Sequence, residues 1–250
     1  MRKLALKHVA ACTLVSLVLL QSCKDDSHLA SAPPIPDQSL KEEFDTTASA
    51  LARGWRFFNV SEDKGSNVWQ QGGNVIPWFP AYSNKGTYAG FIGADYTSTN
   101  AAQAIISNWV VSPPVTFQNG DKIVFYTRAW LDDLTPFGIP GDSTDWSNRM
   151  QLRANVKNES LNIGNGGDPG DFTTVLVDIN PNYDEYRVNP ALRSPFAYPA
   201  RWTRFEGTIS GLNKPARGRF AFRYFLEGGG NNGLGSGVAL DNVEFISVSR

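Results

Sequence analysis

The sequence predicts an all-β protein, most simply an antiparallel jelly-roll β-sandwich. Apolar residues recur at every second position in several segments, which is the period of a strand with one buried face. Turn-forming residues bound these segments, and no stretch of ten or more residues after the N-terminal region carries an apolar stripe at helical spacing. A chain of 250 residues, 41% apolar and 19% charged, is typical of a globular protein that buries one sizeable core.

The first 22 residues have the pattern of an export signal. Three basic residues precede an apolar run at residues 9–20, which is too short to cross a bilayer as a permanent helix. The sequence that follows, Leu20-Gln21-Ser22-Cys23, resembles the lipobox of bacterial lipoproteins. This resemblance implies that residues 1–22 are a signal peptide and that Cys23 is lipidated, and two or more acyl chains anchor a protein stably.

The segment after Cys23 predicts a tether. Lys24-Asp25-Asp26 resembles the signal that sends Bacteroidetes lipoproteins to the outer face of the outer membrane, so we expect a lipid-anchored protein in the cell outer membrane, exposed to the outside. Proline, serine and alanine follow, a composition that favours extended conformations. Residues 23–39 are therefore expected to be a flexible linker, and residues 40–250 to form one domain.

Five segments of that domain carry the pattern of strands. Two of them alternate apolar and polar residues and are expected to be half-buried strands with one face exposed to solvent: 150–156 and 220–226. A third, 202–209, is rich in β-branched and aromatic residues. The other two, 105–111 and 123–130, are apolar on both parities and bounded by turn residues, which is typical of central strands.

The last strand contains a change of parity. Val238 and Leu240 are apolar at even positions, whereas Val243 and Phe245 are apolar at odd positions. One extra residue at Asp241-Asn242 would switch the parity, which is what a β-bulge does. The alternative is a strand buried on both faces, and the sequence leaves both open.

The reactive side chains limit the chemistry. The two histidines, His8 and His28, and the two cysteines, Cys12 and Cys23, all lie within the first 28 residues. The folded domain therefore has no cysteine nucleophile, no disulfide, no Ser-His-Asp triad and no zinc site of histidine or cysteine. A formal net charge of −1 makes nucleic acid an unexpected partner.

Four short motifs together carry a family resemblance. They are Glu43-Phe44, Gly54-Trp55, the segment 108–114 and the closing segment 239–243. In order and spacing they resemble the choice-of-anchor J domain, which is similar to cleaved adhesin and MAM-like jelly-roll domains. The resemblance implies a surface-anchored module for adhesion or binding rather than an enzyme, and it does not fix a ligand.

The resemblance also implies a structural calcium ion near the first and last strands. Glu43 and Asp241 match the family's opening and closing acidic positions, so they are the expected ligands. Calcium takes six to eight oxygen ligands, and the reactive groups of this domain are almost wholly oxygen. The alternative is that Asp241 caps the bulge and Glu43 is solvated.

A group of aromatic residues is the predicted ligand-binding surface. Trp78, Phe79 and Tyr82 lie outside the family pattern in a proline-flanked stretch, and Trp146 is the next candidate. Aromatic faces held in solvent stack on the C–H faces of sugars, while a protein partner could use the same surface. Buried packing is the alternative for such residues.

We therefore expect a non-catalytic domain that recognises glycan or a surface partner. The alternative is a carboxylate-dependent glycoside hydrolase, or an accessory subunit of a polysaccharide-utilisation system, since two carboxylates suffice for glycoside hydrolysis. The Glu-x-Asp-x-x-Glu strand motif common in sandwich glycosidases is absent, and no catalytic residue is predicted.

Overall fold

The computed structural model describes residues 35–83 and 87–248. The predicted signal peptide, Cys23 and most of the predicted linker lie outside the described residues. From Asp37 onward the described residues belong to one compact unit. No helix within them is long and apolar enough to span a membrane.

The regular secondary structure of the described residues is nearly all strand, as the sequence predicts. One helix, α1 (Thr47–Ala52), and two 3₁₀ turns, Tyr96–Ser98 and Thr135–Phe137, interrupt the strands. In chain order the strands are β1 (Leu40–Glu42), β2 (Arg56–Asn59), β3 (Gln70–Gln71), β4 (Ile92–Asp95), β5 (Ala104–Val111), β6 (Val115–Phe117), β7 (Lys122–Ala129), β8 (Asp132–Asp133), β9 (Ser143–Thr144), β10 (Met150–Asn155), β11 (Thr174–Ile179), β12 (Thr203–Thr208), β13 (Ala216–Gly229) and β14 (Gly237–Ile246).

The strands form two six-stranded antiparallel sheets. The first sheet has the order β12-β7-β14-β4-β3, and β1 pairs with the far end of β14. The second has the order β11-β10-β13-β5-β2, and β6 pairs with one end of β13. Strands β8 and β9 form a separate two-stranded ribbon. Neighbours in each sheet are mostly not consecutive in sequence, which is typical of a jelly-roll sandwich.

The main core lies between the two sheets. Alternation sends Ile123 and Phe125 of β7 inward to meet Phe220, Phe222 and other residues of β13, and the rings of Phe125 and Phe222 lie 4.9 Å apart, edge to face. Each buried phenylalanine contributes about 1.5–3 kcal/mol by leaving water. Two residues of the family motifs belong to this core, since Phe44 is 0% exposed and Trp55 is 1% exposed.

The outer face of the second sheet is covered, although the sequence predicts that it is exposed to solvent. On its outer side Gln151 is 3% exposed and Arg223 is 1% exposed, although the alternating sequence predicts that they face solvent. The expectation is wrong because the connection between β10 and β11 folds back over this face. Its Ile163 and Phe172 pack on Trp109 to form a second small core.

A β-bulge interrupts β14 where the parity changes. Asp241 pairs with Tyr126 of β7 and Glu244 pairs with Val124, so the register gains one residue between them. Asn242 takes the left-handed conformation at φ 48°. Of the two alternatives the bulge after Asp241 is therefore present, and the part of β14 before it, residues 237–241, is also buried on both faces.

Candidate functional site

Loops from both sheets meet at one end of the sandwich. In the first sheet, Gly237 at the start of β14 pairs with Asp95, and Val238 pairs with Ala129, so β4 and β7 both end there. In the second sheet, β13 ends and β10 begins at this same end. The glycine-rich segment 228–233 has the composition of a hairpin loop, but it crosses between the sheets because β13 and β14 belong to different sheets.

These loops enclose a cavity of about 550 Å³, which we call the Trp146 cavity. That volume lies within the usual range for small-molecule sites. Its lining combines aromatic rings, two carboxylates, two amides and bare backbone. The residues are Tyr96, Asp132, Asp133, Pro136, Phe137, Trp146, Gly230, Asn231, Asn232, Gly233 and Gly235.

Trp146 is held by contacts on two sides. Its indole Nε1 donates a hydrogen bond to Oδ2 of Asp132 at 2.8 Å. Its ring meets the ring of Phe137 edge to face, with centroids 5.9 Å apart, and Phe137 is 67% exposed. The indole is half-buried, so the two rings form a fixed apolar corner with polar groups at its edge.

A buried aspartate fixes the backbone under this corner. Trp146 and Ser147 take left-handed conformations, with φ of 51° and 63°, which cost free energy for residues with a side chain. Asp145 supports the turn: its carboxylate accepts hydrogen bonds from the backbone N–H groups of Ser147, Asn148 and Tyr186. Burial raises the pKa of Asp145 to about 6.

The far wall of the cavity requires a glycine. Gly235 has φ +85° and donates its N–H to the carbonyl of Trp146. A Cβ at this position would overlap the side chains of Leu226 and Tyr224. The backbone of residues 230–235 therefore approaches the Trp146 turn more closely than a chain with a side chain at 235 would allow.

The two carboxylates in the cavity differ in their electrostatics. Burial raises the pKa of Asp132, and the hydrogen bond from Trp146 opposes that rise. Hydrogen bonds from the backbone and hydroxyl of Thr135 lower the pKa of Asp133. At neutral pH both groups can accept hydrogen bonds, and Asp132 is the easier of the two to protonate.

Trp78 packs against three glycines on the outer side of the first sheet. A Cβ on Gly73, Gly93 or Gly237 would overlap its indole, so these glycines form the floor on which the ring lies. Trp130 stacks on it with an interplanar angle of 6° and centroids 5.4 Å apart. Trp78 is half-buried, and a shallow cavity of about 480 Å³ beside it is lined by residues 74–77 and Trp130.

The other two residues of the predicted aromatic surface differ in exposure. Phe79 is 9% exposed and packs on Phe91 and Trp202. It is the buried centre of a group of aromatic residues on the outer side of the first sheet, which we call the outer cluster. Tyr82 is 42% exposed and stacks on Tyr126. Among the described residues the structure does not bring this group together with Trp146: no residue lines both cavities.

The two predicted calcium ligands already have partners. Both oxygens of Asp241 accept hydrogen bonds, from the N–H groups of Tyr82, Ser83 and Asn242 and from the Ser83 hydroxyl. Glu43 pairs with Lys41 at 2.8 Å. No group of three or more acidic, histidine or cysteine side chains that could hold a metal occurs in the described ranges. As arranged, these residues do not fit a calcium ion.

Most of the Trp146 cavity is not predicted from the sequence. Of its lining residues, only Trp146 is a sequence candidate, while the acidic residues at 132 and 133 have the composition of an ordinary turn. One signal was available: the long connection from β7 to β10 combines acidic, aromatic and proline residues, and loops of such length are uncommon unless they have a function.

Comparison with known proteins identifies the fold. The K1 cleaved adhesin domain of Lys-gingipain from Porphyromonas gingivalis superposes with a TM-score of 0.50 and 18% identity, covering 84% of this chain and 98% of that domain. The K3 cleaved adhesin domain of the same protein gives 0.48 and 14%, covering 85% and 100%. No family model and no curated protein matches the sequence. The likeness to the K1 domain shows that the chain has the β-sandwich fold of that domain.

Proposed function

We propose that this protein is a surface lipoprotein of the choice-of-anchor J type whose non-catalytic sandwich binds glycan in the Trp146 cavity. The observation that carries the proposal is the fixed corner of Trp146 and Phe137 beside the Asp132 carboxylate. An adhesin-type fold is consistent with a binding role, but fold alone does not define function.

The chemistry of the cavity suits a sugar. The apolar C–H face of a pyranose ring stacks on an indole, and the cavity has about the volume of a small ligand site. Carboxylates at Asp132 and Asp133 and amides at Asn231 and Asn232 can accept and donate hydrogen bonds to hydroxyl groups. Because Asp145 already fixes the Trp146 turn, little ordering free energy is lost on binding.

The experiment is affinity electrophoresis of the full-length protein through gels containing single soluble polysaccharides. At least one neutral polysaccharide should retard the wild type, and Trp146→Ala should lower the apparent affinity at least about tenfold, as expected for a central aromatic contact. Trp146→Phe, which keeps a ring, should retain part of the affinity and guards against a folding defect.

Tyr82→Ala is the matched control, since it removes an exposed aromatic ring from the surface formed by Trp78, Phe79 and Tyr82. If that variant loses retention while Trp146→Ala keeps it, the binding surface is the sequence-predicted one on the outer cluster. If no polysaccharide retards a correctly folded wild type, a protein partner replaces glycan in the proposal.

One observation favours a second function, carboxylate-dependent glycoside hydrolysis. Asp132 and Asp133 lie in one cavity with pKa values displaced in opposite directions, a pattern that suits an acid and a base. Release of reducing sugar from a retained polysaccharide, lost in Asp132→Asn, would establish it. We expect no release.

The anchor is part of the proposal and has its own test. Cys23 is the proposed lipidation site and residues 1–22 the proposed signal peptide. The wild type expressed in a Bacteroidetes host should incorporate labelled fatty acid and be released by protease added to whole cells, and Cys23→Ser should do neither. Labelling without release would assign the protein to the periplasmic face.

A further inference from the structure

Three arginines surround a second cavity, which we call the arginine cavity. It has a volume of about 950 Å³, and its lining residues include Arg128, Tyr186, Arg193, Arg201 and Thr203. None of these lining residues is acidic. The cavity lies against the outer side of β7, where Thr127 pairs with Thr203 of β12 and Ala129 donates its N–H to the carbonyl of Pro199.

Arg128 is the inner cation of this cavity. It projects from β7 and its guanidinium lies 3.8 Å from the centroid of the Phe79 ring. Its Nε is buried and has no hydrogen-bond partner among the described residues. Burial lowers the pKa of Arg128, and the charge of Arg201 lowers it further. A buried donor without a partner and a half-buried charge without a counter-ion are both costly, so this arrangement favours an incoming anion.

The other two arginines form the rim. Arg193 packs on Tyr186, with its guanidinium carbon 4.5 Å from the ring centroid, and donates to the carbonyls of Arg187 and Val188. Arg201 is exposed and makes no ion pair or side-chain hydrogen bond within the described residues. Elsewhere on the described surface several cations are paired, as Arg187 is with Asp142 and Arg149 with Asp178.

The geometry points to an oxyanion-binding site: the cavity of Arg128, Arg193 and Arg201 takes a carboxylate or sulfate group, carried by an acidic polysaccharide or present as a free ion. Guanidinium groups match the planar or tetrahedral oxygens of these anions and hold them with paired hydrogen bonds. The ring of Tyr186 and the size of the cavity leave room for the sugar that bears the group. This inference does not require the Trp146 cavity to bind.

The test uses the full-length protein and two polymers with one backbone, dextran and dextran sulfate, followed by polygalacturonate and inorganic sulfate. Calorimetry should detect binding of dextran sulfate or polygalacturonate and none of dextran. Arg201→Gln should weaken the binding and Arg201→Glu should weaken it at least about tenfold, since it replaces an attraction by a repulsion. The matched controls are Lys157→Gln and Lys157→Glu, which make the same changes of charge at another exposed cation.

The outcomes separate the sources of the anion. Binding of a charged polymer that depends on Arg201 and not on Lys157 supports the site with a polysaccharide ligand. An Arg201-dependent rise in melting temperature with inorganic sulfate, without polymer binding, supports the site with a free ion. No binding of any anion, or equal losses in the Arg201→Glu and Lys157→Glu variants, overturns it. Trp146→Ala is expected to leave these results unchanged, so failure here leaves the proposed glycan site to its own test.

Discussion

Trp146 donates its indole N–H to Asp132 at 2.8 Å, and this hydrogen bond closes the ribbon of β8 and β9, in which Asp132 pairs with Thr144. Asp132 lies in the short ribbon strand that follows β7 of the first sheet, whereas Trp146 comes just before β10 of the second. The contact therefore holds together the two ends of the connection between β7 and β10 beside the cavity. A hydrogen bond to a carboxylate contributes about 1.5–3 kcal/mol, which is enough to hold an exposed loop.

We expect Asp132→Ala and Trp146→Phe each to lower the affinity for a retained polysaccharide, and the double variant to lose less than the sum of the two. The reason is that either change alone already removes the hydrogen bond between the two side chains. Affinity electrophoresis of all four proteins should give a coupling free energy of about 1 kcal/mol. Strictly additive losses would show that the two side chains act independently.

Replacing Asp145 should destabilise the whole domain. Its carboxylate accepts three backbone hydrogen bonds through both oxygens, and an amide offers one accepting oxygen, so Asp145→Asn leaves a buried N–H without a partner. We expect the free energy of unfolding in urea to fall by about 2–3 kcal/mol. The control is the exposed Asp63→Asn, expected to stay within about 0.5 kcal/mol of the wild type. Equal stability of the two variants would contradict the role assigned to Asp145.

Stability should depend on pH through Asp241. Burial raises the pKa of this carboxyl from 3.8 to about 6. Between these values the folded state binds more protons than the unfolded state, so the free energy of unfolding falls as the pH rises through this window. The contribution is fully present below 3.8 and is lost above about 6.

The variant Asp241→Asn isolates this effect, because Asp145 has a raised pKa and gives the wild type a slope of the same sign. The difference in unfolding free energy between wild type and variant should shrink by on the order of 2 kcal/mol between about pH 4 and about pH 7. A difference that stays constant with pH would show that Asp241 has an ordinary pKa.

Period-two patterns predicted β10 and β13 because each inward residue is apolar for a local reason, its place on a pleated strand, and apolar or β-branched runs between turn residues predicted β5, β7 and β12. Two-residue strands such as β3, β8 and β9 are too short to carry such a pattern. The bulge after Asp241 was one of the two alternatives for the change of parity, since an extra residue shifts the alternation of the sequence by one position. The burial of Arg223 could not, because it depends on a distant segment, residues 162–172, folding over the sheet. Alternation records which face a residue lies on and not what covers that face.

The candidate site was predictable only in part for a related reason. Trp146 was a candidate as an aromatic residue. Its partner Phe137 lies in the same connection between β7 and β10, whereas Asn231 comes from the connection between β13 and β14, and the two connections meet only at the end of the sandwich. Trp78 and Phe79 were good aromatic candidates by composition. Trp78 packs on glycines and Phe79 packs on Phe91 because residues 72–79 fold against the first sheet, and no local sequence pattern predicts that contact.

The bulge residue Asn242 should tolerate glycine and not valine. Its φ of 48° is a conformation that asparagine and glycine adopt readily, whereas a β-branched residue does not. We expect Asn242→Val to lower the free energy of unfolding by about 1–2 kcal/mol and Asn242→Gly to change it by less than about 0.5 kcal/mol. Thermal and urea unfolding of both variants check this, and a stable valine variant would mean that the bulge is absent.

Calcium should have no effect on the described domain. In this arrangement both oxygens of Asp241 are occupied by N–H and O–H donors, and a cation would have to displace donors that point toward the same lone pairs. Glu43 is engaged with Lys41. We therefore expect an excess of chelator to leave the melting temperature unchanged, and added calcium to leave it unchanged as well.

The control for that measurement is Asp241→Asn, which removes the charge that a divalent cation would need. If calcium raises the melting temperature of the wild type and not of the variant, a cation binds at the bulge after a local rearrangement of residues 82 and 83, because binding to the folded state alone stabilises it. The pH dependence would then change as well, since a bound cation lowers the pKa of a carboxyl beside it. If the melting temperature is the same in chelator and in calcium, the role of Asp241 is to accept the backbone hydrogen bonds that hold the bulge against residues 82 and 83.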